Sequence, residues 1–433
     1  MQASRRGVLL GTGLAAAGLA AGAQAAGPAG ATPDAAWFQA VLERYAGFGV
    51  KASGGKGDLG VGQWLEGELS ALGYRCERQV FQTPYAEVRT ATLSTGGRTA
   101  PVFPQAIVRT TGAGGLSGPL RLSSAPGDLA GAIALIDLPS RRWVSLAEPA
   151  IARGLADVFQ RGAAGAVLVT NGPTGEICGL NVHPGRPGFP KPVAILAPTD
   201  AQPFVAAAAQ GAPATLIVDA ETGQRPADNL IARLDRGAAK TLIVTTPRSG
   251  WFTCAAERGS GLAIWLALAG WLAKARPGVN LEFVATSGHE YVYLGGEEYL
   301  HHKAPKPADT HLWVHIGASA AARDWHEIGP RLLPLPSADS QRVFVASPDL
   351  IDLARRSFKG VTGLEVVYPA DKAHTAGETE NVIAAGYASV MGHYGGHRFF
   401  HTPGDDMRCV SGELVVPVAA AYRAVVAGAI PFA

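Results

Sequence analysis

Histidine and glutamate side chains accompany two short apolar segments that have the composition of buried strands. The segments are 281–285 and 312–316; His289 and Glu290 come just after the first, and His315 lies within the second. Imidazole and carboxylate groups bind metal ions and transfer protons. Because ligands and reactive groups gather where the strands of an open α/β sheet end, this stretch predicts half of an active site.

The segments around this stretch predict the sheet that would position it. A strand at 241–246 is followed by a long helix that ends before the Pro277-Gly278 pair, and the strand at 281–285 comes next. Strand, helix and strand at this spacing indicate parallel strands with helices on the faces of the sheet. Periodic apolar residues within 33–74 add two amphipathic helices. We therefore predict an α/β fold with a mixed, mostly parallel central sheet flanked by helices.

Short β-like segments and one helix, at 155–165, fill the chain between about 118 and 227. The run FQRGAAGAVLVTNGPTG within it resembles the helix, glycine turn, strand and loop of protease-associated domains. The resemblance implies an inserted small β-rich domain that shapes a substrate cleft and carries no catalytic groups. The alternative is a continuous catalytic domain with extra strands. The prediction places two parts of one catalytic-like domain, 27–117 and 228–433, around the insertion 118–227.

The composition indicates a globular protein with a large core. Of the 433 residues 47% are apolar, which is enough to bury a sizeable core. Lysine plus arginine (37) nearly balance aspartate plus glutamate (35), without a basic cluster, so nucleic acid is not an expected partner. Four cysteines permit disulfides but do not specify a pairing: Cys76, Cys178, Cys254 and Cys409.

The first 26 residues have the pattern of a twin-arginine export signal. They carry Arg5 and Arg6, a weakly apolar run of Ala, Gly and Leu, and a small-residue cleavage site, so the mature chain is expected to begin near Ala26. We therefore expect a periplasmic or secreted protein without stable membrane insertion after signal removal. The alternative is a retained anchor helix.

Five motifs in a fixed order carry a more specific resemblance. From about residue 33 onward, NLIARL, ERGSG, FVATSGHE, WVHIG and FFHTPGDD are similar to the zinc aminopeptidase family that includes bacterial leucyl aminopeptidases, glutamate carboxypeptidases and the transferrin-receptor ectodomain. In that family two zinc ions share a bridging Asp. One zinc also binds a Glu and a late His; the other binds an early His and a second Asp. A Glu directly before the liganding Glu is the general base.

The resemblance implies a first zinc site made of three residues of this chain. The bridging position holds Glu257, the liganding Glu is Glu290, and the late His is His401. With His315, which stands at the second Asp position, these side chains would neutralise and surround one tetrahedral Zn²⁺. One zinc ion is therefore the expected cofactor.

The second site departs from the family pattern. Thr246 replaces the early His, Arg248 replaces an Asp two residues later, and His289 stands at the general-base position. We expect Arg248 to act as a fixed cation that polarises a substrate carbonyl or holds a carboxylate. We expect His289 to take the proton of a metal-bound water.

Two further glutamates fall where the family places a loop of the specificity pocket. Glu378 and Glu380 are predicted to grip a substrate amine, with a solvated turn as the alternative. The predicted metal ligands also have structural alternatives. Glu257 could be an acid favoured by a helix start and paired with Arg248. His315 could be a hydrogen-bonded core residue, and His401 could be a loop residue bonded to a nearby Asp.

These residues predict an exported metal-dependent hydrolase of a peptide or of a small amide. The alternative is a catalytically inactive binding protein of this fold that has lost its metal site. The sequence contains no HExxH, GxSxG or phosphate-binding glycine motif, so zincin, serine-hydrolase and nucleotide-binding functions have no support.

Overall fold

A computed structural model describes residues 32–105, 107–185, 189–329 and 331–432. The predicted export signal, 1–26, lies outside these ranges. The chain starts with two helices, α1 (Ala35–Gly47) and α2 (Lys56–Ala71), as the apolar periodicity predicted. Asp34 caps α1 by accepting a hydrogen bond from the backbone N–H of Trp37 at 2.9 Å.

A β-rich lobe follows, and its strands close into a ring. In chain order its elements are β1 (Arg75–Thr95), β2 (Arg98–Pro104), β3 (Gly112–Leu122), β4 (Ile133–Asp137), α3 (Pro149–Gln160), β5 (Gly165–Val169), β6 (Val193–Leu196), α4 (Pro198–Ala209) and β7 (Pro213–Leu234). The strands pair in the order β1-β2-β6-β5-β4-β3-β7, and β7 pairs with β1 again. The long strands β1 and β7 continue out of the ring into the main sheet.

Helix α3 differs from the helix expected at 155–165. It begins six residues earlier, because Pro149 in its first turn has the fixed φ that suits a helix start and lacks an N–H that would go unbonded. It ends at Gln160, two residues before Gly162, whose φ of +92° takes the chain out of the helical conformation.

The remaining chain forms the main sheet and its helices. In order these are β8 (Thr241–Pro247), α5 (Ser260–Ala275), β9 (Asn280–Thr286), α6 (Leu294–His302), β10 (Thr310–Ile316), β11 (Arg323–Ile328), β12 (Arg331–Ala338), β13 (Arg342–Ala346), α7 (Ile351–Ser357), β14 (Val367–Pro369), α8 (Glu378–Ala384), β15 (Val390–Gly395) and α9 (Gly412–Ala429). The sheet order is β7-β9-β8-β10-β15-β13-β14. Four of these six pairings are parallel, which confirms the predicted mixed, mostly parallel α/β sheet.

The parallel strands β9, β8 and β10 bring their carboxyl ends to one edge of the sheet. Nearly all of their residues are buried, as strands covered by helices on both faces must be. The segments that leave this edge begin at Arg248, Ser287 and Gly317. The predicted site residues therefore arise at the edge where α/β sheets bind ligands.

Helix α9 packs into the main core, and the described cysteines form no disulfide. Among the described residues, α9 is the one helix long and apolar enough to cross a membrane, and half of it is buried inside the protein. Its residues Tyr422 and Val425 lie in the main core. The four cysteines are all free thiols.

Candidate active site

A cavity of about 430 Å³ opens beside the carboxyl ends of β9 and β10. Its polar wall includes His289, His315, Glu378 and Arg342, and the aromatic residues Tyr293, Tyr394 and Phe400 also line it. The β-rich lobe contributes Val144 and Asn181. Concave sites of this size that combine apolar walls with a few polar groups typically bind small molecules.

The carboxylate of Glu378 lies between the two histidines of this wall. Its Oε1 is 3.4 Å from His289 Nδ1 and accepts a hydrogen bond from Thr286 Oγ1 at 3.2 Å. Its Oε2 is 3.6 Å from His315 Nδ1, which also contacts Thr245 Oγ1 at 3.0 Å. The Glu378 contact orients the His289 ring and leaves its Nε2 as the nitrogen able to accept a proton.

Burial governs the protonation of this wall. Burial and the nearby positive charge of Arg258 hold the pKa of His289 well below its ordinary value, although Glu257 acts in the opposite direction. Burial raises the pKa of Glu378, and the interaction with His315 and the charge of Arg258 oppose this shift. Burial also lowers the pKa of His315 to about 4. At neutral pH both histidines are therefore neutral.

Glu257, Arg258 and His401 form a second, buried group. Glu257 Oε1 lies 2.8 Å from Arg258 Nη2 and 3.3 Å from His401 Nε2, and it forms a geometrically sound hydrogen bond with neither. His401 Nδ1 is 2.9 Å from the carbonyl oxygen of Gly179, which fixes the ring. Burial would raise the pKa of Glu257, but the charge of Arg258 and the contact with His401 hold it well below its ordinary range. The carboxylate is thus ionised, with Arg258 as its counter-charge.

The carboxylate of Glu290 is bonded elsewhere. Its Oε1 accepts hydrogen bonds from the backbone N–H of Ser53 at 2.9 Å and from the Ser53 hydroxyl at 2.8 Å. Its Oε2 accepts a hydrogen bond from the Ser249 hydroxyl at 2.6 Å. These donors satisfy both oxygens without a cation.

The predicted zinc ligands are not brought together as one set. Within the described residues, the single group of three or more histidine, cysteine or acidic side chains with ligand atoms all within 4.8 Å of one another is His397, Asp405 and Cys409. No three of the four predicted ligands meet that distance. Glu257 and His401 adjoin, while Glu290 faces two serines and His315 faces Thr245 and Glu378. These residues do not fit a four-ligand zinc site, since Arg258 already supplies the positive charge beside Glu257.

The other predicted site residues, Arg248 and Glu380, do not line the cavity. The guanidinium of Arg248 is fully buried and pairs with Asp58 at 2.8 Å and Asp228 at 2.9 Å, so the expectation that it faces a substrate is not met. Thr246 donates its hydroxyl to the carbonyl oxygen of Ile316 at 2.9 Å. Glu380 is exposed in the first turn of α8, apart from the cavity lining.

Arg258 is the site residue that the sequence analysis missed. It follows Glu257 directly in the ERGSG motif, where a charged neighbour has the appearance of a solvated residue. The signal that could have identified it is the chain's departure from the family at two metal-binding positions, Thr246 and His315, beside a retained acid. A buried carboxylate without a metal requires another cation, and Arg258 is only 1% exposed.

Acidification is expected to destabilise the protein through His393. This residue is fully buried, its Nδ1 is 2.5 Å from the Tyr422 hydroxyl, and burial lowers its pKa to about 3. In the unfolded chain this histidine binds a proton near pH 6.5. The contribution of His393 to the free energy of unfolding is therefore fully present above pH 6.5 and is lost as the pH falls from 6.5 toward 3. The shift corresponds to roughly 4 to 5 kcal/mol at most.

Urea unfolding at pH 7.5 and at pH 4.5 checks this expectation. His393→Asn should reduce the difference in unfolding free energy between the two pH values, and His302→Ala, at an exposed histidine, should leave it unchanged. Equal pH dependence in the wild type and in His393→Asn would contradict it.

The fold is shared with solved structures, although no family model and no curated protein matches the sequence. A zinc aminopeptidase from Bacillus subtilis has a TM-score of 0.71 at 17% identity, over 93% of this chain and 96% of that one. A peptidase M28 precursor from Shewanella amazonensis SB2B has a TM-score of 0.69 at 18% sequence identity, and the match covers 90% of this chain and 92% of that one. An aminopeptidase from Aneurinibacillus sp. strain AM-1 has a TM-score of 0.67 at 17% sequence identity, and the match covers 93% of this chain and 95% of that one. The chain therefore has the zinc-aminopeptidase fold that its motifs predicted.

Proposed function

We propose that this chain, with the fold of the zinc aminopeptidases, hydrolyses a peptide bond or the amide bond of a small molecule in the 430 Å³ cavity. The observation that carries the proposal is the position of His289. It lines the cavity, is neutral at physiological pH, and is oriented by the buried carboxylate of Glu378. A neutral, oriented imidazole at the wall of a small-molecule cavity has a ring nitrogen that can accept a proton from water.

The chemical step needs one water molecule and two proton transfers. His289 Nε2 accepts a proton from the water as the water oxygen attacks the carbonyl carbon of the amide. The C–N bond then breaks, and the proton on His289 passes to the leaving nitrogen, which yields a carboxylic acid and an amine. The carboxylate of Glu378 stabilises the imidazolium that forms between these transfers.

The predicted one-zinc mechanism is not part of this proposal. Glu257 is neutralised by Arg258, and the oxygens of Glu290 are hydrogen-bonded by Ser53 and Ser249. The positive charge of Arg258 instead acts through the field it exerts on His289 and Glu378, where it favours neutral His289 and ionised Glu378. Both are the protonation states that the base requires.

The cavity size limits the substrate class. A volume of about 430 Å³ suits a compound of one or two amino-acid residues. Glu378 is the carboxylate on the wall that could receive a substrate amine, as predicted from the sequence, whereas Glu380 is too exposed for that role. We include Val144 and Asn181 of the β-rich lobe in the substrate cleft, which is the role that the protease-associated resemblance implies.

A substrate panel tests the proposal. The mature chain is incubated with dipeptides, aminoacyl anilides and N-acyl amino acids, and products are identified by mass spectrometry. Cleavage of at least one amide, at a rate that persists in excess chelator, is the expected result. Cleavage that chelator abolishes and zinc restores would overturn the metal-free mechanism.

The pH dependence of cleavage follows from the wall residues. The competent form has ionised Glu378 and neutral His289, so kcat/KM should be level near neutral pH. It should fall on the acid side, as Glu378 is protonated at a pH above its ordinary value of 4.5. Initial rates from pH 4 to pH 8 measure this. A rate that rises as pH falls below neutrality would show that a protonated histidine is required instead.

A second candidate is a binding protein without catalytic activity. It is favoured by the burial of Glu257, Arg258 and His401, at most 2% exposed each, since none of the three lines the cavity and Arg258 supplies the counter-charge of Glu257. For this candidate the same panel would yield bound but uncleaved compounds, detected by calorimetry.

Export remains a proposal that rests on Arg5 and Arg6 and the cleavage pattern near Ala26. Expression of the full chain in a bacterium with twin-arginine transport should deliver a periplasmic protein whose N-terminus, by sequencing, lies near Ala26. Substitution of both arginines by lysine should retain the protein in the cytoplasm.

A further inference from the structure

We infer that His397, Asp405 and Cys409 form a buried transition-metal site, with zinc as the ion it fits best. The three side chains are at most 1% exposed, and their ligand atoms all lie within 4.8 Å of one another. The site lies between the end of β15 and the start of α9. It is separate from the residues proposed for hydrolysis.

The strongest observation is the state of the His397 ring. Neither ring nitrogen has a hydrogen-bond partner, although the residue is fully buried. Its Nε2 lies 3.3 Å from Asp405 Oδ2 without the alignment of a hydrogen bond. A buried polar atom without a partner costs about 1 to 3 kcal/mol, so two on one ring require an explanation. A metal ion bound to one nitrogen removes part of that cost.

The donor set selects the ion. One imidazole nitrogen, one carboxylate oxygen and one thiolate sulfur are all zinc ligands, with bonds of about 2.0 to 2.3 Å that put neighbouring ligand atoms about 3 to 4 Å apart. The carboxylate and the thiolate together neutralise Zn²⁺. Calcium and magnesium prefer oxygen ligands and do not suit a site with sulfur.

Binding must be accompanied by loss of the Cys409 proton. Burial and the charge of Asp405 raise the pKa of this thiol, whose Sγ contacts the Gly404 carbonyl oxygen at 3.3 Å. The metal displaces the proton, which is released to solvent. Because the site is closed to solvent, we expect the ion to enter during folding.

The proposed ion would hold a segment that supports the second buried group. Asp405 Oδ1 accepts a hydrogen bond from the backbone N–H of Ala256 at 2.8 Å, and its Oδ2 accepts one from that of Glu257 at 3.0 Å. The same segment carries His401. The ion would therefore fix the backbone beside Glu257 and act as a structural metal.

Metal analysis of the untagged mature chain, folded in the presence of zinc, tests the site. We expect about one zinc per chain, lost in Cys409→Ser and in His397→Ala and retained in Glu257→Gln. The matched control is Cys178→Ser, which removes another buried free thiol in the β-rich lobe. Zinc that survives the Cys409 and His397 substitutions, or its absence from the wild type, overturns the inference.

Cobalt spectroscopy keeps the test independent of variant folding. Wild-type protein refolded with Co²⁺ should show a thiolate-to-cobalt charge-transfer band in the near ultraviolet, and the Cys178→Ser control should show the same band. Bound cobalt without this band would exclude Cys409 as a ligand. Neither readout involves hydrolysis, so failure here leaves the proposed activity to be judged separately.

Discussion

Replacement of His289 by glutamine is expected to lower kcat for amide cleavage by roughly 10²- to 10⁴-fold, the usual contribution of a general base. Glutamine keeps the length and polarity of the side chain but cannot take a proton from water. KM should change little, because the cavity walls other than this residue remain intact. Initial-rate kinetics on the best substrate of the panel measure both parameters.

Glu380→Gln is the matched control, since it changes an exposed glutamate near the cavity without touching the wall. It should keep wild-type kcat and KM. Unfolding curves establish that His289→Gln is folded at the assay temperature. A folded His289→Gln variant with wild-type kcat would remove this residue from the mechanism.

Replacement of Arg248 by alanine is expected to destabilise the fold by about 3 to 5 kcal/mol, the cost of leaving a buried charge without its partner. Asp58, also fully buried, would keep only neutral donors, which include the Ser287 hydroxyl at 2.7 Å. Asp228 would retain Arg78 at 2.6 Å. Urea unfolding at pH 7.5 measures the change.

The control for this substitution is Arg44→Ala, which breaks the exposed pair of Arg44 with Glu68 and should cost less than about 1 kcal/mol. Nearly equal losses in the two variants would contradict a buried structural role for Arg248. A fully stable Arg248→Ala variant that no longer cleaves the substrate would also contradict a structural role. That result would support the catalytic role predicted for Arg248 from the sequence.

The sequence was sufficient for the main sheet because its elements are locally determined. β9 and β10 are mostly apolar and almost entirely buried, and α5 is apolar on nearly every face, so burial largely specifies them. The β-rich ring was harder to predict. It closes through the pairing of β1 with β7, more than 100 residues apart in the chain, and no local pattern encodes a pairing over that distance.

The candidate site was predicted in its location but not in its contacts. His289 and His315 meet at one cavity, as the strand order implied, together with Glu378, which the family resemblance placed in a pocket loop. Which partner each side chain takes depends on small polar groups. Ser53 and Ser249 engage Glu290, and nothing in the sequence around them indicates that they do so. Arg258 could be assigned only once its burial beside Glu257 was known.

The most direct test of this account is anomalous diffraction at the zinc absorption edge, from crystals of the mature chain grown with excess zinc. The account predicts no anomalous peak between Glu257 and His401, and a guanidinium of Arg258 in contact with Glu257. A peak there, with Glu290 turned from Ser53 and Ser249 toward the ion, would contradict it and restore the one-zinc site.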